Sequence, residues 1–116
     1  MNTASIAWRV PLGVFEDLKV RGFGATGTPN MGGTIATAAG LIFVGGTIDR
    51  RFRAFDAETG ATLWETTLEA SAHATPMTYQ GRDGRQYVVI AAGGGGILRS
   101  EPGSRIVAFA LPRSQR

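Results

Sequence analysis

Ala54-Phe55-Asp56-Ala57-Glu58-Thr59-Gly60-Ala61-Thr62-Leu63-Trp64 decides how the rest of the chain is read. Upstream of it, Phe52, Ala54 and Asp56 alternate with Arg53 and Phe55, the period of a strand covered on one face. Asp56 can then accept backbone N–H bonds from the residues that follow, and Gly60 can take the left-handed conformation that closes a turn. Beyond the turn, Leu63 to Leu68 reads as a second strand. Working backwards, Thr34–Ala38 and Leu41–Gly45 read as two more, joined at Ala39-Gly40, where glycine meets the demand of a tight hairpin. Four strands with short turns make one antiparallel meander over 34–68.

The pattern recurs downstream. Thr75–Tyr79, Gln86–Ala92 and Arg105–Leu111 read as three strands, separated by the polar turn Gly81–Gly84 and the run Gly93–Gly96, and stopped by Pro112. Ala54-Phe55 returns as Ala108-Phe109, and Trp64 echoes Trp8, with a threonine five residues before each tryptophan. Both spacings lie near ~55 residues, a period that fits propeller blades better than solenoid repeats. The expected fold is therefore all-β, built from antiparallel four-stranded blade units, about one and three-quarter blades of a β-propeller. Residues 5–11 are expected to be the outer strand of a preceding blade and 13–33 an insertion loop, with a helical turn near Leu12–Val20. Residues 34–68 form a complete blade and 74–111 three strands of a final one. Such a register leaves edges unpaired and allows self-association.

Composition narrows the functions. Of 116 residues, 43% are hydrophobic, enough for a packed core. Seventeen glycines without a Gly-X-Y period exclude collagen. The net charge of +3 is dispersed, and no sustained basic face exists to hold nucleic acid. The chain has no cysteine, which excludes disulfides and cysteine zinc sites. No apolar run is long enough for a membrane helix. Met1–Trp8 has neither the charged nor the apolar region of a signal peptide, so an exported parent would carry its signal upstream.

The segment Ala54–Trp64 resembles the tryptophan-docking motif of pyrroloquinoline quinone (PQQ) enzyme repeats. Pro29–Asp49, then Ala74–Tyr79 with Gln86–Gly94, resemble the last full blade and the final blade of membrane-bound glucose, quinate and shikimate dehydrogenases. Ile6–Gly13 also fits that family, so the likeness runs through nearly the whole chain in order. The resemblance implies an eight-bladed propeller holding PQQ and calcium in a central funnel, on the periplasmic side of the inner membrane. It implies oxidation of a sugar or cyclic polyol, with ubiquinone as acceptor. The remaining blades would be this chain's partners. The family's catalytic aspartate and quinone-side lysine have no match here, so no catalytic or metal-ligating residue is assigned. The cofactors are expected in the whole propeller rather than on this chain alone.

By the same resemblance, Asp49, Asn30, Gly32, Gly33 and Gly96 are candidates for the cofactor side. Read physically, Asp49 is equally a turn aspartate capping its own backbone, and the glycines equally serve loop-to-strand geometry. Gly95 stands where the family has a histidine, in the stretch Ala92-Gly93-Gly94-Gly95-Gly96, so an imidazole near substrate is missing. His73 is expected at the start of a strand, without a metal or triad role. Trp8, Asp56, Gly60 and Trp64 are expected to be structural, and Arg50, Arg51 and Arg53 to line a solvated strand edge. Two other functions fit the repeat pattern: a non-enzymatic PQQ-like repeat module acting as a protein-binding scaffold, and a small domain that assembles with copies of itself.

Overall fold

A computed structural model describes residues 4–23, 26–96 and 101–112. The first sheet is the expected meander of β1 (Thr34–Ala36), β2 (Leu41–Val44), β3 (Arg51–Asp56) and β4 (Thr62–Thr67), all antiparallel neighbours. Strand β1 stops at Ala36 because Thr37 closes the hairpin. Its N–H donates to Leu41 O at 2.8 Å, and its hydroxyl accepts from Leu41 N–H at 3.4 Å. Gly40 takes φ +87°, as a tight turn requires. The register of β3 against β4 shifts between Ala54 and Phe55, a bulge that leaves Leu63 outside the Cα pairing. The second sheet holds β5 (Met77–Gln80), β6 (Gln86–Ala92) and β7 (Arg105–Ala110), again antiparallel and in chain order.

The two sheets pack face to face. Phe43, Phe52 and Ala54 from the first meet Val88, Ile90 and Ala92 from β6, with Leu68 and Ala72 from the connection between them. Alternation selects these residues, since every second side chain on β3 and β6 points into the interface. Phe52, fully buried, stacks on Phe109 of β7 at 5.7 Å, and Trp64 meets Phe109 edge to face at 5.2 Å. The other face of β3 is covered as well. Arg53 and Phe55 are 4% and 5% exposed, beneath Pro11, Gly13 and Val14.

Residues 5–11, expected as the outer strand of a preceding blade, are paired in no ladder among the described residues. A strand exists only through its ladder, and the described residues offer this segment no partner strand. It is held instead by Trp8, whose indole N–H donates to Ala57 O at 2.9 Å. In the insertion, α1 (Glu16–Val20) is a single short helix, with Glu16 and Asp17 in its first turn. Arg53 corrects the sequence expectation: it is a buried ion-pair member rather than part of a solvated edge.

Candidate functional site

Antiparallel pairing gathers the loops of both sheets at one end. Thr34 pairs with Val44, Val44 with Arg53 and Arg51 with Thr67, so the start of β1, the end of β2, the start of β3 and the end of β4 lie together. Ala92 pairs with Arg105 in the second sheet, which brings the glycine run to a matching place. Segments 28–33, 44–49, 70–75 and 92–96 therefore share this end, and they contain every residue expected on the cofactor side.

Backbone bonds join these segments. Met31 N–H donates to Gly46 O at 2.9 Å, Gly46 N–H to Ala72 O at 2.5 Å, and Gly94 N–H to Ser71 O at 2.8 Å. Asn30 forms an isolated bridge with Thr47, and His73 Nδ1 lies 3.2 Å from Gly46 O. The glycines are needed for this closeness. A Cβ on Gly32 would stand 2.7 Å from His73 O, and one on Gly33 would stand 2.6 Å from Thr75 Oγ1. Gly32 also holds φ +130°, outside the range of ordinary side chains. Gly94, Gly95 and Gly96 are all left-handed, with φ from +57° to +70°.

Asp49 is the most heavily bonded residue of the set. Its Oδ1 accepts from the Thr47 hydroxyl, from Arg51 N–H at 3.0 Å and from Arg53 Nη1 at 3.4 Å. Its Oδ2 accepts from Val14 N–H at 2.9 Å and from Arg53 Nη2 at 2.5 Å. The Asp49 and Arg53 side chains are 1% and 5% exposed. Burial pushes the Asp49 carboxyl up. The hydrogen bonds from Arg53, Thr47 and Arg51, with the charge of Arg53, outweigh it and hold the group below its ordinary 3.8. Arg53 Nε also meets Glu65 Oε2 at 3.3 Å; Glu65 and Glu16 both pair with Arg51, at 3.7 Å and 2.5 Å.

Asp49 and Asn30 both make hydrogen bonds within the chain. The Asp49 oxygens are taken by five protein donors, and the Asn30 amide donates to Thr28 O at 3.2 Å. Among the described residues no three His, Cys, Asp or Glu side chains cluster to hold a metal ion. Sequence reasoning overlooked Arg53 as Asp49's partner. The signal was present: Phe55 shares its face of β3, and a large apolar neighbour marks a covered face.

At the opposite end of the first sheet, Asp56 Oδ1 accepts from Glu58 N–H at 2.8 Å and Thr59 N–H at 3.2 Å, and Gly60 takes φ +76°. Gly60 has a second duty that the sequence did not suggest. A Cβ there would stand 2.5 Å from the ring of Trp8, so the indole lies directly on the glycine.

Two blade-type sheets, one turn-docked tryptophan and a common loop end define adjoining blades of a β-propeller. The sequence matches the family described as PQQ: glucose/ethanol/alcohol dehydrogenase, β-propeller domain, over residues 1–88, and the chain belongs to that family. It is 41% identical over 97% of its length to quinoprotein glucose dehydrogenase A of Acinetobacter calcoaceticus. It is equally 41% identical, over 97% of its length, to a probable quinate dehydrogenase (quinone) of Xanthomonas campestris pv. juglandis. The chain spans only 14% and 15% of those two relatives. Among solved structures it resembles quinohemoprotein alcohol dehydrogenase from Comamonas testosteroni, with 34% identity and a TM-score of 0.63 over 78% of this chain and 15% of that one. No helix among the described residues is long and apolar enough to cross a membrane.

Proposed function

We propose that this chain supplies one complete blade and three strands of the next in a PQQ- and calcium-dependent dehydrogenase that oxidises a sugar or cyclic polyol and delivers the electrons to ubiquinone on the periplasmic side of the inner membrane. The observation that carries the reading is the convergence of 28–33, 44–49, 70–75 and 92–96 at one sheet end, in a chain of this family. That end is the cofactor side of the blades. When bound, PQQ takes two electrons and two protons from a CH–OH group and leaves a carbonyl.

The chain's own contribution is a wall. Gly32, Gly33 and Gly94 let backbone segments pack closely, and the Ser71 hydroxyl, 1% exposed and without a hydrogen-bond partner among the described residues, adds a polar atom there. Gly96 belongs to the same wall. Gly95, in place of the family's histidine, favours a second reading in which the blades keep the fold as a protein-binding scaffold and lose oxidation.

A chimaera separates the two readings. This chain replaces the matching segment of the Acinetobacter glucose dehydrogenase, and PQQ-dependent reduction of an artificial acceptor is measured with aldoses and cyclic polyols. The dehydrogenase reading expects turnover, raised by Gly95→His. A Cβ at 95 meets none of the described residues within 4 Å, and histidine is enriched among non-glycine residues at positive φ. A folded chimaera that stays inert with Gly95→His favours the scaffold.

A further inference from the structure

We infer that Asp49 and Arg53 are positioning residues for the strap Pro29–Gly33, and that neither reaches the cofactor itself. The charged groups form a closed circuit. Glu16 pairs with Arg51, Arg51 with Glu65, Glu65 with Arg53, and Arg53 with Asp49. Asp49 then accepts from the N–H of Val14, two residues before Glu16. The segment 14–16 is thus clamped at Val14 onto the turn before β3 and at Glu16 onto Arg51 of β3.

The clamp is passed on to the strap. Leu12 O accepts from Thr28 N–H at 2.8 Å, and Gly13 O from Gly27 N–H at 3.0 Å. A Cβ on Gly13 would overlap the Thr28 side chain, so 12–13 and 27–28 lie in direct contact. From Thr28 the chain enters the strap, whose Met31 N–H bonds Gly46 O and whose Asn30 bridges Thr47. Thr47 closes the loop, since its hydroxyl donates back to Asp49.

One carboxylate therefore sets both sides of the strap: Thr28 through 12–14, and residues 30–31 through the 46–49 turn. Removing either member of a buried ion pair leaves an uncompensated charge, so both residues are needed for the same geometry. The purpose of the strap rests on the cofactor-side reading above, while the linkage itself rests on the hydrogen bonds alone.

The test is amide hydrogen exchange on this chain with Asp49→Asn, Arg53→Met and the double variant. Exchange at Val14, Thr28 and Met31 is expected to speed about tenfold or more in each single variant, with β6 amides unchanged as an internal control of folding. The double variant should match the singles, because one interaction is lost in each. Arg53→Lys, which keeps the charge but not the fork, should retain part of the protection. If Val14 alone speeds up, or the single effects add, the inference is overturned. Should Arg53→Met unfold β6, the Lys variant decides on the same three amides.

In the chimaera, PQQ affinity should fall by similar factors in the two single variants. A loss confined to Asp49→Asn would mean that Asp49 touches the cofactor, and would overturn the inference. If the unmutated chimaera binds no PQQ, the cofactor-side reading fails, and the exchange experiment still decides the positioning role.

Discussion

The two sheets follow one blade pattern, yet they are covered differently. In the first, β3 is buried on both faces: Phe52 and Ala54 against the second sheet, Arg53 and Phe55 under residues 11–14. In the second, only the inner face is covered. Ile106 on β7 is 77% exposed, and Met77 and Tyr79 on β5 are 55% and 43% exposed. The apolar alternation is present on both sheets, so what differs is the neighbour. A blade is a two-faced element, and its outer face is buried only when another segment lies on it.

The contrast predicts unequal costs for similar substitutions. Phe52→Ala should be the most damaging, by about 3–5 kcal/mol in urea unfolding, because Phe52 is fully buried between the sheets and packs on Phe43, Trp64 and Phe109. A loss below about 1 kcal/mol would mean that the two sheets do not share one core.

Gly60→Ala should cost about 2 kcal/mol, from positive φ and from collision with Trp8. It should also change the Trp8 fluorescence environment. If Trp8→Phe leaves that cost unaltered, the ring contact is not part of it.

The acid response should also come from the covered side. Asp49 has a lowered folded-state pKa, so its contribution is complete above 3.8 and is lost as pH falls below 3.8 through the folded value. The urea midpoint of the chain should drop across that window, and that of Asp49→Asn should start lower and fall less. Parallel curves for the two proteins would place the acid sensitivity elsewhere. The smallest effect belongs to the open face: Ile106→Thr should stay within about 0.5 kcal/mol of wild type. A larger loss would show that β7 is covered in solution, as the self-association reading requires.

Strand positions were legible because period-two alternation and turn residues are local signals. Asp56 and Gly60 illustrate this, since both do what the spacing demanded. The pairing of segment 5–11 was not legible, because a strand needs a partner that its own residues do not specify. Arg53 was misread because its carboxylate lies across a turn, and three arginines within four residues look solvated unless the opposite cover is known. The second duty of Gly60 was invisible because the ring that lies on it is 52 positions earlier, at Trp8. For the candidate site, the resemblance named segments that the fold brings to one sheet end, and the hydrogen bonds add Val14 and Arg53 as partners of Asp49.

The central claim is that these blades close a PQQ site together with the rest of a propeller. Calcium-dependent PQQ binding to the purified chimaera, followed by fluorescence titration, tests it most directly. Saturable binding at micromolar concentration or tighter, abolished by chelation of calcium, is the predicted result. A compact, correctly folded chimaera that binds no PQQ, beside a parent enzyme that does, would contradict it.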